Sequence, residues 1–172
     1  MSGKERRRFI IELLHNSTEP LSGSALAKKL GVSRQIIVQD IALLRATDKN
    51  ILSTNKGYIC HQPYTEQMQT RVIAVRHSDE QMSEELNIIV DAGAKVKDVI
   101  VEHDVYGQIS VDLLLESRKD VDEFMEKVSR SKTRPLKELA GGIHYHTIDA
   151  PSEEILDLVE DRLKEIGYLI LE

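Results

Sequence analysis

Two histidines, His144 and His146, stand two residues apart in a segment, residues 143–148, whose composition is typical of a β-strand. Alternate side chains of a strand leave the same face, so both imidazoles would point in one direction and could chelate a metal ion. A pair of this kind can also be two hydrogen-bonded or surface histidines. The chain has no Cys-x-x-Cys or His-Glu-x-x-His spacing, so the pair by itself does not establish a metal site.

A third histidine and a glutamate extend this candidate site. His77 stands between a predicted strand, residues 71–75, and the helix that follows it. In that helix Glu85 lies at the edge of an apolar stripe with the spacing of a buried helix face, formed by Met82, Leu86 and Ile89. A carboxylate at the edge of a buried face requires a cation, although Glu85 could instead face solvent. Three imidazoles and one carboxylate suit zinc, nickel, iron or manganese, and the donor types do not choose among these metals.

The elements that would position these residues belong to one alternating pattern of strands and helices, which begins at Thr70. Strands are predicted over residues 71–75, 96–103, 108–115 and 143–148. Helices are predicted after the first, third and fourth of these strands, and a short last strand over residues 168–171. The order β-α-β-β-α-β with an added helix and strand predicts an α+β fold, a ferredoxin-like sheet with its helices on one face.

The second and third strands of this pattern form a predicted hairpin around residues 104–107. His103 ends the first strand of the hairpin, and Tyr106 lies in its turn. Both are candidate ligand-binding residues, although a histidine in this position can simply be the polar end of a strand.

The first part of the chain predicts a DNA-binding fold. Residues 21–45 indicate a helix-turn-helix, in which a short amphipathic helix ends at Gly31 and a longer one has a buried face of Ile37, Ile41 and Leu44. Two such helices joined by a glycine turn also occur in other helical proteins. Here two short strands follow around Asn55, with Lys56 and Gly57 suited to a tight turn, and a hairpin in this place is typical of a winged helix.

The second helix of this motif has a polar face that can read bases. Its first turns expose Arg34, Gln35, Val38 and Gln39. In the major groove arginine pairs with guanine, glutamine pairs with adenine, and valine can touch a thymine methyl group. Arg7, in a basic run of the first helix, and Lys56, in the hairpin, are candidate phosphate contacts. The predicted partner is therefore duplex DNA.

Charge divides the chain into two parts. Residues 1–62 carry ten Lys or Arg against five Asp or Glu, a net charge of +5, whereas residues 63–172 carry thirteen against twenty-four, a net charge of −11. We therefore predict a DNA-binding domain over residues 1–62, a polar linker over 63–69 and a second domain over 70–172. The lone Cys60 excludes an internal disulfide and no signal peptide or membrane span is evident, so we expect a cytoplasmic protein.

The full chain resembles the niacin-responsive transcription repressors, which join a biotin-repressor-type winged helix to a three-histidine (3H) domain. The resemblance rests on the segments SGSALAKKLGVSRQIIVQDIALLR, DVIVEHDVYG and GGIHYHTIDAP. It implies nicotinic acid or a close relative as co-repressor, and operators at genes of NAD biosynthesis or niacin uptake. It also implies a metal ion held by His77, Glu85, His144 and His146.

Together these observations predict a DNA-binding repressor, not an enzyme, that binds two operator half-sites as a homodimer and senses a small molecule in its acidic domain. An anionic ligand there needs a cation, for which the metal is the first candidate and Lys132 and Arg134 are weaker ones. Two alternatives stay open: a metal-responsive regulator, and a metal-dependent hydrolase in which an open coordination position activates water. The hydrolase has less support, since no further Asp or Glu is placed as a general base.

Overall fold

The computed structural model describes residues 1–47, 50–60 and 68–171. The chain divides into two compact units, Met1–Pro63 and Tyr64–Glu172. Within the described residues no helix is long and apolar enough to cross a membrane. The predicted linker over residues 63–69 lies mostly outside the described residues.

The first unit is a winged helix-turn-helix, as predicted. Its elements are α1 (Gly3–His15), α2 (Gly23–Leu30), α3 (Arg34–Thr47), β1 (Ile51–Thr54) and β2 (Gly57–Cys60). Gly31 ends α2 with a left-handed φ of 66°, which glycine adopts without steric cost. The predicted buried face of α3 packs in one core with Ile10, Leu14 and Leu26.

The wing differs from the prediction in its turn. β1 and β2 pair with Thr54 opposite Gly57, so the two-residue turn is Asn55-Lys56 and Gly57 already belongs to β2. Gly57 has a φ of 140°, and an added Cβ would lie 2.4 Å from the carbonyl oxygen of Leu21. Leu21 in turn exchanges two backbone hydrogen bonds of 2.8 Å with Tyr58. The glycine is therefore needed because a third segment of backbone packs closely against the wing.

The second unit has the predicted order of elements. They are β3 (Gln69–Arg76), a 3-10 turn (Asp79–Gln81), α4 (Met82–Asp91), β4 (Lys95–His103), β5 (Gly107–Leu115), α5 (Arg118–Arg130), a 3-10 helix (Leu136–Ala140), β6 (Ile143–Ala150) and α6 (Glu153–Glu165). β3 begins at Gln69, which the sequence had assigned to the linker.

The four strands form one antiparallel sheet in the order β3-β6-β4-β5. The α+β class is confirmed, but the strand order differs from a ferredoxin-like sheet, whose first and third strands are central. Here the last strand, β6, lies between β3 and β4. This order places His144 and His146 inside the sheet, opposite Val75 and Ile73 of β3.

The predicted strand over residues 168–171 is reduced to a single β-bridge. After α6 the chain turns at Gly167, which has a φ of 77°, and Leu169 forms a bridge with Val75 of β3. Two backbone hydrogen bonds of 2.9 Å flank this bridge. The segment therefore covers the outer edge of β3, but the pairing does not extend far enough to make a strand.

One face of the sheet is buried under the helices, and it positions the candidate site. β6 alternates half-buried and buried side chains, and the buried ones are His144, His146, Ile148 and Ala150. Ile148 and Ala150 belong to an apolar core that includes Leu86 of α4 and residues of α6, namely Leu156, Val159 and Leu163. The two histidines share that face, so the predicted strand period is confirmed and both imidazoles point to the helix side.

Candidate metal centre and DNA-binding surface

Four polar residues meet on the buried side of the sheet. His144 and His146 project from β6, His77 follows the end of β3, and Glu85 belongs to the buried face of α4. All four are buried, and Glu85 has no exposed surface. The structure brings together the four residues that the sequence predicted as metal ligands, here called the His–Glu cluster.

The carboxylate of Glu85 is the centre of the His–Glu cluster. Its Oε2 lies 2.5 Å from His77 Nε2 and 3.6 Å from His144 Nε2, and its Oε1 lies 3.0 Å from His146 Nε2. One donor atom from each of His77, Glu85 and His144 lies within 4.8 Å of the others, a spacing at which they could hold a metal ion. All three imidazoles therefore present the same nitrogen to one carboxylate.

The other nitrogen of each imidazole has a backbone partner. The Nδ1 atoms lie at hydrogen-bond distance from carbonyl oxygens, in the pairs His77 with Ser78 (2.8 Å), His144 with Gly142 (3.0 Å) and His146 with Asp98 (2.6 Å). A carbonyl oxygen only accepts, so each Nδ1 carries a proton and donates it. The Nε2 atoms then remain available as ligands, which is the usual arrangement around metal-bound histidines.

Two atoms of the His–Glu cluster have no hydrogen-bond partner in the part of the chain that the structure describes. Glu85 Oε1 and His146 Nε2 are fully buried and, although they lie 3.0 Å apart, neither makes a hydrogen bond. Buried polar atoms are nearly always satisfied in native proteins. A divalent cation would satisfy both atoms, so the residues present fit the transition metal predicted from the donor types.

The electrostatics of the cluster keep its carboxylate ionised. Burial alone would raise the pKa of Glu85, but the charge of His146 and the close approach of the three imidazoles outweigh it and hold this pKa well below its ordinary value. Burial alone would lower the pKa of His146, but the charge and close approach of Glu85 reverse this effect and raise it. A metal bound at the Nε2 atoms would require them to be deprotonated, so metal binding would release any proton held there.

A cavity adjoins the His–Glu cluster. Its volume is about 450 Å³, including the space at its open end. Its apolar walls come from α4, α5, β4 and β5 and include Leu86, Val99, Leu113, Phe124 and Val128. Its polar end is formed by Glu85, Lys137, His144 and His146. A mostly apolar cavity with a few convergent polar groups is the usual form of a small-molecule site.

Lys137 is a candidate functional residue that the sequence did not indicate. It lies in the 3-10 helix Leu136–Ala140, and its side chain is 7% exposed. The two cations predicted near the ligand, Lys132 and Arg134, are exposed and do not line the cavity, and Arg134 lies 3.6 Å from Glu138. No helix or strand period runs through this segment, so no pattern distinguishes its buried cation from the exposed ones.

His103 and Tyr106 lie at the tip of the β4–β5 hairpin. His103 Nδ1 accepts hydrogen bonds from the backbone N–H groups of Val105 (3.1 Å) and Tyr106 (3.2 Å), so His103 stabilises the turn. Tyr106 is 78% exposed. Neither residue lines the cavity beside Glu85, so this cavity does not support the ligand contacts predicted for them.

The first unit exposes the side chains predicted to read bases. On α3 these are Arg34, Gln35, Val38 and Gln39, all of which are exposed. The opposite face of the helix is buried through Ile37 and Ile41. α3 therefore has the exposed face that a recognition helix requires, and Lys56 lies in the wing turn.

Arg7 has a partner within its own unit. Its Nη1 lies 3.1 Å from Asp40 Oδ1, and Arg6 Nε lies 2.5 Å from Asp40 Oδ2. Asp40 belongs to α3 and its side chain is only 4% exposed, so the two arginines connect α1 to the recognition helix. The side chain of Arg7 is still 32% exposed. The contact between Arg7 and a DNA phosphate stays a prediction. The phosphate would compete with Asp40 for the Arg7 guanidinium.

Each of the two units matches a known protein family. The family model of the HTH domain matches residues 6–59, and that of the 3H domain matches residues 70–172. Two similar proteins are the probable transcription repressor NiaR of Thermotoga maritima, 43% identical over 169 residues, and the transcription repressor NadR of Bacillus subtilis, 41% identical over 172 residues. The chain belongs to this family of 3H-domain transcription repressors. The alignments cover 98% and 99% of the repressor, and 95% and 96% of the two relatives.

Family membership distinguishes a DNA-binding regulator from a metal-dependent hydrolase, two of the functions that the sequence left open. Both relatives are named as transcription repressors, and their similarity extends over nearly the full length of this repressor. The prediction of a DNA-binding regulator is confirmed, and a hydrolase fused to a DNA-binding head is not supported. The HTH domain is the part of the repressor that binds DNA.

Proposed function

We propose that this repressor acts in the cytoplasm on genes of NAD biosynthesis or niacin uptake, with nicotinic acid or a close relative as co-repressor. The metal centre in this proposal is a divalent transition metal held by the His–Glu cluster. The observation that carries it is the cavity beside the cluster, which combines apolar walls with a polar end. The resemblance to niacin-responsive repressors supports the class of ligand.

The chemistry of the cavity suits a small aromatic acid. Phe124, Val99 and Leu113 offer apolar surface to a flat ring, and His144 and His146 lie at the polar end, where a carboxylate would be directed. When bound, the metal supplies positive charge at that end. The three imidazoles would hold it through their Nε2 atoms, and the surrounding apolar side chains would lower the local dielectric constant, which strengthens electrostatic attraction.

The proposal predicts that nicotinic acid raises operator affinity and that nicotinamide, which lacks the carboxylate, raises it less. Because coupling between two binding sites is reciprocal, operator DNA must raise the affinity for nicotinic acid by the same factor. Titrations of a labelled operator duplex with and without each compound, and calorimetry of nicotinic acid with and without the duplex, measure the two factors. Equal responses to the acid and the amide would contradict carboxylate recognition.

The same operator titration, repeated with and without a divalent metal, tests the alternative of a metal-responsive regulator. The buried His–Glu cluster is the observation that favours this alternative. If a divalent metal without nicotinic acid produces the full increase in operator affinity, the metal itself is the signal. If the metal alone changes nothing and nicotinic acid requires it, the metal is part of the ligand site.

We also propose that the repressor reads two operator half-sites as a homodimer and that α3 enters the major groove of each. Arg34→Ala should weaken operator binding by about 1–3 kcal/mol but leave binding to a scrambled duplex nearly unchanged, as loss of a bidentate base contact does. The comparison variant is Arg7→Ala, which removes the candidate phosphate contact of α1. It should weaken both duplexes alike, as a phosphate contact does. Equal losses on both duplexes for Arg34→Ala would exclude a base contact.

A further inference from the structure

The ammonium group of Lys137 is buried between the cavity and the backbone of a predicted metal ligand. Its Nζ donates a hydrogen bond of 3.1 Å to the carbonyl oxygen of His77 and lies 2.6 Å from Asp79 Oδ1. A buried ammonium is costly unless it is paired and hydrogen-bonded, so these contacts determine where the side chain can lie. Lys137 therefore connects its own segment to the end of β3.

The segment that carries Lys137 is also one wall of the cavity. Pro135, Leu136 and Lys137 line the cavity together with Phe124 and Val128 of α5. The segment joins α5 to β6 and reaches the strand through Gly141 and Gly142, whose φ values are 66° and 89°. An added Cβ at either glycine would meet nothing within 4 Å, so the glycines set the backbone path and do not hold the wall by packing.

Two connections join this wall to the His–Glu cluster, and each ends on a different histidine. The first is the hydrogen bond from Lys137 to the His77 carbonyl. The second runs through Gly142, whose N–H donates to the Lys137 carbonyl (2.9 Å) and whose own carbonyl accepts from His144 Nδ1 (3.0 Å). Lys137 takes part in both connections, with its side chain in one and its backbone in the other.

We propose that Lys137 is a positioning residue that couples the metal centre to the wall of the cavity. This inference rests on the metal centre of the proposed function. His77 and His144 would be held in place when their Nε2 atoms bind a metal, and Lys137 would then hold residues 135–137 against the cavity. Metal binding would thereby be transmitted to the wall of the cavity through Lys137.

Hydrogen exchange of the full-length protein, measured by mass spectrometry with and without Zn²⁺, tests this coupling. Zn²⁺ should slow exchange in residues 143–150, which contain two ligands. It should also slow exchange by about tenfold in residues 131–142, which contain none, because the wall is stabilised through Lys137. In Lys137→Met, which keeps the length of the side chain but removes its charge, the effect on residues 131–142 should be clearly reduced, because only the backbone connection through Gly142 remains, while that on residues 143–150 is unchanged.

A metal titration gives a second readout of the same variant. Loss of a partner that orients a ligand lowers metal affinity by about 10- to 100-fold, and Lys137→Met should fall in this range. The matched control is Lys132→Met, which removes an exposed lysine of the same segment that does not line the cavity, and it should behave as the wild type. Asp79→Asn is the second test variant. It removes the ion pair at a half-exposed residue and should reduce the protection of residues 131–142 in part.

The outcomes separate this inference from the proposed function. Uptake of Zn²⁺ without protection of residues 131–142, or equal protection in the wild type and in Lys137→Met, would overturn the coupling and leave the metal centre intact. A merely structural role for Lys137 would speed exchange equally with and without Zn²⁺, which also overturns the coupling. Failure of the wild type to take up any divalent metal would overturn the metal centre itself, and the coupling with it.

Discussion

Replacement of both His144 and His146 by alanine should abolish metal uptake. The two residues supply two of the three Nε2 atoms that face Glu85, and the pair that remains, His77 and Glu85, is too small a donor set to retain a transition metal. The response to nicotinic acid should disappear with the metal. Basal operator binding should persist, because the HTH domain is a separate compact unit. Elemental analysis and gel shifts with and without nicotinic acid measure these effects.

The matched control for this double variant is Tyr145→Phe. Tyr145 lies between the two histidines in β6, on the opposite face of the strand, and it does not line the cavity beside Glu85. It should retain both metal uptake and the response to nicotinic acid. A cooperative melting curve for the double variant would show that the 3H domain remains folded. A full response to nicotinic acid in the metal-free double variant would show that the ligand binds elsewhere.

Three of the four predicted ligands could be placed from the sequence because they follow local periods, whereas His77 was included because it stands between a strand and a helix and matches the family pattern. His144 and His146 share a face by the two-residue period of a strand, and Glu85 is placed in the stripe of α4 by the helical period. Both periods depend only on neighbouring residues, so the face assigned to each side chain is correct whatever the strand order is. The periods determine which face each side chain takes, whereas the meeting of the four residues depends on how the strands and helices pack.

Contacts over long sequence separations could not be derived in this way. The pairing of β6 with both β3 and β4 depends on which strands meet after collapse, and no local pattern specifies it. The same holds for Arg7 and Asp40, which are 33 residues apart and form an ion pair where the sequence predicted only a phosphate contact. Lys137 and the His77 carbonyl are 60 residues apart. In each case the partner lies on another element. The periodicity of one element does not indicate which residues of another element it contacts.

The wing provides the second large expected effect, through Gly57→Ala. An added Cβ would lie 2.4 Å from the Leu21 oxygen and 2.7 Å from the Ser22 nitrogen, both of them backbone atoms, and φ at Gly57 is 140°. The backbone cannot give way easily, because Leu21 is hydrogen-bonded twice to Tyr58 and Ser22 caps α2. We expect a loss of about 3 kcal/mol in the stability of the first unit and, with it, loss of operator binding at physiological temperature.

Gly31→Ala is the matched control, because it isolates backbone conformation from close approach. Gly31 has a φ of 66°, but an added Cβ there meets nothing within 4 Å, so the substitution should cost only the left-handed strain of about 1–2 kcal/mol. Thermal melting measures the loss of stability in each variant. Hydrogen exchange in residues 1–47, compared with residues 70–171, shows which unit is destabilised. Equal destabilisation by the two substitutions would mean that Gly57 is required for its φ alone. A clearly larger effect at Gly57 is the expected result, because there the close approach of the backbone of residues 21 and 22 adds to the strain of a φ of 140°.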